Sequence, residues 1–217
     1  MADQKITELT ELTTPDIAAD WVPIVDAGGT PTTKKITPDN FFNAAAGKQT
    51  IFIPAGAMRP TVSNGCADLV SAETTAGRPD MIVLDFDTGS DEHAQFQVAF
   101  PKAWNEGTIT FRVFWTSTAT DTDGVAWALQ GVSVADDATI DVAYGTAVVV
   151  TDDNISAAED MLVTAESGAV TITSAAADTM TYFRIFRDVS NANDDMGEDA
   201  RLIGIKLFFT TDELTDG

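Results

Sequence analysis

The chain has 217 residues, 44% of them hydrophobic, which allows one substantial domain with an appendage and excludes disorder over the whole length. Its 12 Lys and Arg stand against 34 Asp and Glu, a formal net charge of -22. There is thus no basic run to hold a nucleic-acid backbone or an anionic membrane surface. The single Cys66 excludes an intrachain disulfide and a cysteine-based zinc site. No apolar run reaches the roughly 18 residues that a membrane-crossing helix needs, so membrane insertion is not expected. Met1-Ala2-Asp3-Gln4 lacks the basic and apolar regions of a secretory signal, and the expectation is a soluble protein made in a cytoplasm. Such acidity suits display at high local density or in salty water, where repulsion maintains solubility.

Residues 1–47 differ in character from the rest. Short extended pieces rich in Thr and Val are interrupted by Pro15, Pro23, Gly28-Gly29 and Pro31. An arm of this kind has too little apolar surface for a core of its own. It needs a partner surface to bury Ile6, Leu9, Trp21, Ile24 and Ile36. Thr37 to Gly47 then carries a helix signature: Thr37 as N-cap, Pro38 as first helical residue, Asp39 in the first turn and Gly47 at the end. Phe41 and Phe42 lie within it.

The spaced elements KITELT, TP, D-x-x-PIVD and GTPTTKKIT, leading to the Phe41-Phe42 pair, resemble the N-terminal segment of tailed-bacteriophage fibre, spike and minor virion proteins. The resemblance implies an arm that attaches a mostly β, usually trimeric protein to the particle. Ile6, Leu9, Trp21, Ile24, Ile36, Phe41 and Phe42 would then be the anchoring side chains.

From Lys48 on, alternation takes over. Strands are predicted at Thr50–Ile53, Met81–Phe86, His93–Phe100, Thr108–Thr116, Val125–Gln130, Ile140–Gly145, Val148–Val150, Asp160–Thr164, Val170–Thr173, Tyr182–Arg187 and Arg201–Phe209. Met58–Gly77 reads as irregular, with Asn64-Gly65 and Ala76-Gly77 as turns. In the centre, Ile109, Phe111, Val113 and Trp115 share one face, and Val125, Trp127 and Leu129 share another after the Asp121-Thr122-Asp123-Gly124 turn. Two such runs joined by an Asp-Gly loop predict an antiparallel pair. Their indoles lie in phase with aliphatic neighbours, which favours core packing over a carbohydrate platform. Many short strands with little helical periodicity predict an all-β fold: an antiparallel β-sandwich, jelly-roll-like, covering residues 48–217, with the extended arm and its one short helix in front. The stretch from FDTGSDEHAQFQVAF to DARLIGIKLFFTT also resembles a β-rich phage virion protein family.

Candidate chemistry is sparse. Asp85-x-Asp87-x-Gly89-Ser90-Asp91-Glu92 invites a calcium reading, but Gly89 stands where a ligand belongs and Phe96 where a bidentate Glu belongs. No metal or other cofactor is expected. The only histidine, His93, has no G-x-S-x-G serine to serve and reads as a surface residue at a strand start. Cys66 has no second histidine as relay. A glycosidase needs only two carboxylates, but nothing singles out a pair. The expectation is no enzyme. Arg112, Arg184, Arg187 and Arg201 stand out in so acidic a chain as subunit contacts to the carboxylates of a neighbour. Together with the resemblance, this predicts a virion structural protein, trimeric, of the head-decoration or short head-fibre kind, assembled in the host cytoplasm. Its partners would be other virion proteins of the capsid or tail. The alternative is a tail-fibre or tail-tip protein whose distal domain binds a host surface glycan.

Overall fold

A computed structural model describes residues 21–26, 32–38, 47–213 and 216. The chain divides into two units, Met1–Gly47 and Lys48–Gly217, and each is described by itself. In the first, β1 (Val22–Asp26) and β2 (Thr32–Ile36) form an antiparallel hairpin in which Val22 faces Ile36 and Ile24 faces Lys34. Pro38 is helical; the remainder of the predicted helix, with Phe41 and Phe42, lies outside the described residues, as do Ile6 and Leu9.

The second unit is a β-sandwich. Its strands are β3 (Lys48–Pro54), β4 (Arg59–Pro60), β5 (Val70–Glu73), β6 (Asp80–Phe86), β7 (His93–Val98), β8 (Thr110–Thr116), β9 (Gly124–Val134), β10 (Val148–Asp153), β11 (Leu162–Val163), β12 (Ile172–Thr173), β13 (Met180–Arg187) and β14 (Ala200–Thr210). One sheet runs β10-β9-β13-β7-β4, with β12 beside β9; the other runs β11-β8-β14-β6-β5, with β3 beside β14. Pairing is antiparallel except for β12 on β9.

Alternation explains which side chains meet between the layers. On β8, Phe111, Val113 and Trp115 turn inward and are fully buried; on β13, Phe183 and Ile185 do the same; on β14, Leu202, Ile205, Leu207 and Phe209. Aromatic rings fill the space between the layers, within one sheet for the ladder partners Phe96 and Phe183 and from one sheet to the other for Phe86 and Trp127. Phe96 stacks on Phe183 at 5.1 Å, Phe100 lies 4.4 Å from Trp104 and 5.3 Å from Phe209, and Phe86 meets Trp127 edge-on at 5.2 Å. Burying each such ring stabilises the fold by about 1.5–3 kcal/mol.

Three predicted details change. The expected β8–β9 pair is not a pair: β8 lies in one sheet and β9 in the other, so residues 117–123 cross between layers. Trp115 and Trp127 still meet, but across the interlayer space, at 6.4 Å and 63°. The predicted strand at Ile140–Gly145 is an irregular strap instead. It lies over the outside of β9, where Gly145 N–H donates to the Gly131 carbonyl at 3.2 Å and Tyr144 Oη accepts from Gln95 Nε2 at 2.8 Å. All eleven residues of β9 are buried: the strap meets the strand at Gly131, and the loop after β13 bonds to its Gly124 and Ala126 end. Finally, the segment read as irregular holds β4 and β5. Too few of their residues alternate to leave a signal.

The open edge of β8 is closed by chain that is barely strand at all. Thr164, Ser167 and Val170 donate their N–H groups to the carbonyls of Val113, Phe111 and Ile109 at 3.1, 2.9 and 2.8 Å. The hydroxyls of Thr164 and Ser167 accept from Val113 and Phe111 in return. An edge whose polar groups are satisfied in this way cannot recruit a foreign strand.

Candidate interaction surfaces

Among the described residues no group of three or more His, Cys, Asp and Glu is arranged to hold a metal ion. The carboxylates of the Asp85–Glu92 loop bind the loop itself and neighbouring strands. Asp87 accepts from Gly89 N–H at 2.6 Å, Glu92 from Asp87 N–H at 2.9 Å, and Asp91 from Val189 N–H at 3.1 Å, while Asp85 pairs with Arg201 at 3.6 Å. His93 sets Nδ1 3.1 Å from the Asn64 carbonyl and tilts its ring on Phe186 at 5.0 Å; burial holds its pKa below the usual histidine value. It is thus part of a packed corner rather than a free surface residue. The Cys66 thiol is buried and its pKa pushed up to about 12, first by burial and then by Glu92. It carries no thiolate at neutral pH.

The predicted anchoring residues inside the described part fall on the hairpin and beside it. Trp21 is 53% exposed and Val22 40%. The Lys35 ammonium sits over the Trp21 ring at 3.4 Å, a cation–π contact that shields one face of the indole. Ile24 and Ile36 are half-buried. Every tryptophan of the sandwich, by contrast, is enclosed.

The four arginines scatter. Arg187 is fully buried in its own subunit and forks onto Asp194 at 2.8 Å, so no neighbouring chain can reach it. Its expected role as a subunit contact is corrected on that ground. The residue shares the parity of Phe183 and Ile185, and that alternation is the signal that places it inside. Arg201 is half-buried between Asp85 and Glu159, each at 3.6 Å. Arg184 lies on the outer face of the other sheet, 5.1 Å over the Tyr144 ring. Gln130, in the amide orientation that satisfies both groups, accepts from it at 2.9 and 3.2 Å. Arg112 is exposed on β8.

Beside Tyr144 a groove of about 570 Å³ is lined by Tyr144, Gly145, Thr146, Val148, Thr171 and Thr173. A ring, several hydroxyls and a nearby guanidinium make a mixed apolar and polar surface. Burial raises the pKa of the Tyr144 hydroxyl, which keeps it a neutral donor and acceptor.

Asp152 shows how the core touches charge. Its carboxylate accepts from Trp115 Nε1 at 2.8 Å, and burial raises its pKa above the ordinary aspartate value against the pull of that hydrogen bond. A raised pKa means that folding favours the protonated form. The cost of the charge is therefore absent below the unfolded pKa and reaches its full size once pH has risen through the folded one. Asp152→Asn keeps an acceptor for the indole without the charge. Its thermal midpoint should exceed that of the parent at pH 7, and the gap should close as pH falls below about 4. Paired melting curves at the two pH values check this.

No protein-family model matches the chain, and no curated protein matches it. Among solved structures it is similar to the family 11 carbohydrate-binding module from Clostridium thermocellum, in complex with a β-1,3-1,4-mixed-linked tetrasaccharide. Identity is 12%, the TM-score 0.40, and the match covers 75% of this chain and 95% of that one. It is also similar to the CBM36-1 domain of a multidomain xylanase from the hindgut metagenome of Trinervitermes trinervoides, at 8% identity and TM-score 0.37, over 73% and 96%. A protein of unknown function from Shewanella oneidensis MR-1 matches at 10% and TM-score 0.30, over 86% and 99%. Each is a likeness of strand arrangement and carries no statement about a ligand.

Proposed function

We propose that this chain is a non-catalytic surface protein of a tailed-bacteriophage particle, a head decoration or short head fibre. Residues 1–47 dock on the particle, and residues 48–217 form the displayed sandwich. One observation carries the reading: the sandwich encloses its own tryptophans, whereas the first unit leaves Trp21 and Val22 open to solvent. Large apolar side chains held out on a two-stranded ribbon are marginal in water and gain by docking. The likeness of residues 5–42 to virion attachment arms supplies the kind of socket.

Deleting residues 1–47 should leave a domain that melts within a few degrees of the full chain and no longer joins particles. Quantitative blotting of purified particles reads this. Normal incorporation of the truncated chain would remove the docking role. A tail-fibre protein binding a host glycan is the second reading, favoured by the hydroxyl-lined groove beside Tyr144. A ring with flanking hydrogen-bonding groups suits a sugar, whose own faces are part apolar and part polar. Copy number separates the two readings, since head decoration requires hundreds of copies and a tail fibre a handful. Specific retention of one oligosaccharide by the full chain, lost on Tyr144→Ala, would favour the second.

A further inference from the structure

The outer face of β3, β14 and β8 holds a pattern that neither the docking arm nor the groove uses. Alternation turns Phe52 of β3, Lys206 and Phe208 of β14, and Arg112 and Phe114 of β8 away from the core. The register lines Phe52, Lys206 and Arg112 in one row across the three strands, with Thr50, Phe208 and Thr110 in the next. Gly204 gives Phe52 its place: a Cβ there would stand 2.6 Å from the ring. The ring instead lies over bare backbone and meets Phe114 edge-on at 5.6 Å. Phe52 remains 50% exposed. The ammonium groups of Lys48 and Lys206 lie 4.5 and 5.6 Å from the Phe208 ring.

Three rings and three cations therefore share one face of a chain whose net charge is -22. Lys206 and Arg112 are directly opposite in the ladder, a like-charge juxtaposition that costs stability in an isolated sheet. Glu166 is drawn first to Lys48 and Thr110 and feels Arg112 only more weakly, so it offsets part of the charge on Arg112 and leaves the Arg112–Lys206 juxtaposition in place. The far end of the sandwich has the opposite problem. Around Gly124, the Asp195 carboxylate accepts the Gly124 N–H at 2.7 Å and Asp153 faces Gly124 in the ladder. The carboxyl of Asp123 is pushed up first by Asp121, with burial and Asp195 adding to it. Among the described residues no cation pairs with Asp121, Asp123, Asp153 or Asp195.

We propose that the outer face of β3, β14 and β8 is a docking surface for a second copy of this chain, which presents its acidic Gly124 end to Phe52, Arg112 and Lys206. Each patch supplies what the other lacks. The rings contribute apolar area and the charges set register and suppress wrong partners. The two patches differ, so the contact is head-to-tail and builds a ring or a row of copies. General repulsion between acidic copies falls off within about 8 Å at physiological salt, and the paired patches act at shorter range.

The test is sedimentation of the full chain over a concentration series at physiological salt. Self-association is expected in the parent. Arg112→Glu with Lys206→Glu, on an outward face, should leave the melting midpoint in place and weaken association at least about tenfold. Asp123→Lys with Asp153→Lys should do the same. Mixing the two double variants should restore assembly with the two kinds alternating, because the charges then match at every contact between unlike copies. A parent that stays monomeric overturns the proposal, as does association untouched by the Arg112 and Lys206 reversals. A mixture that fails to assemble overturns the pairing of these two patches. A monomer whose Phe52 face captures an oligosaccharide would assign that face to another ligand.

Discussion

Replacing Arg187 with alanine is expected to cost about 3–5 kcal/mol of folding stability, the range for breaking a buried ion pair from one side. The guanidinium has no exposed surface and uses all its nitrogens. Nε and Nη2 reach Asp194 Oδ1 at 3.0 and 2.8 Å, Nη1 reaches the carbonyls of Glu198 and Phe86 at 2.8 and 3.3 Å, and Nη2 also meets the carbonyl of Met196. Alanine would leave the Asp194 charge nearly sealed off and three carbonyls short of a donor. The fork ties the loop from Asp188 to Asp199 to β13 and β6, so its loss should loosen the Gly124 end first. Arg187→Lys would not rescue it, because a point charge cannot serve a carboxylate and three carbonyls at once. Arg187→Met with Asp194→Asn should cost less than Arg187→Ala alone, since no charge is then stranded. Urea unfolding of the three variants decides it. An Arg187→Ala loss under about 1 kcal/mol would mean that water reaches the site.

Trp127→Ala should be as damaging, at about 3–5 kcal/mol. The indole fills the space between the layers against Trp115 and Phe86, and β9 is enclosed on both sides, so little can collapse into the hole. Trp127→Phe separates volume from polarity. Among the described residues nothing accepts from the buried Trp127 Nε1, so phenylalanine sheds an unsatisfied donor while giving up part of the ring, and its cost should stay under about 1.5 kcal/mol. The same exchange at Trp115 removes the donor that Asp152 accepts and should cost more than Trp127→Phe. Thermal or urea unfolding of the three proteins reads the order directly. Equal losses for the two Trp→Phe variants would show that the Asp152 hydrogen bond contributes nothing.

Most of the sandwich is written in local alternation, because a strand with one face buried must repeat every second residue. Phe111, Val113 and Trp115 on β8, Phe183 and Ile185 on β13, and Ile205, Leu207 and Phe209 on β14 could not be placed otherwise without exposing a whole row. Which strands become partners was not legible for β8 and β9. A polar Asp-Gly loop between two alternating runs reads as a hairpin, whereas β8 takes β14 and β11 as partners and β9 takes β13 and β10, strands too distant in sequence for a local pattern to announce. The strap at Ile140–Gly145 alternates like a strand, yet Ile140 and Val142 end up exposed, because β9 already has its ladder partners in β10 and β13. Arg187 could have been placed from its parity with Phe183 and Ile185. The basic face was harder, since it assembles Phe52, Arg112 and Lys206 from three strands that are distant in sequence.

The pairing of the first strand of the sandwich with its last has a mechanical consequence. Lys48 lies opposite Thr210, and β3 runs antiparallel to β14. Tension between residue 48 and the C-terminal end would peel that ladder open one rung at a time. Tension between residue 48 and the loop at 117–123, at the other end of the sheet, pulls β3 lengthwise and loads its rungs together. A body tethered at residue 48 and tugged from its far tip is held in the stronger of the two directions.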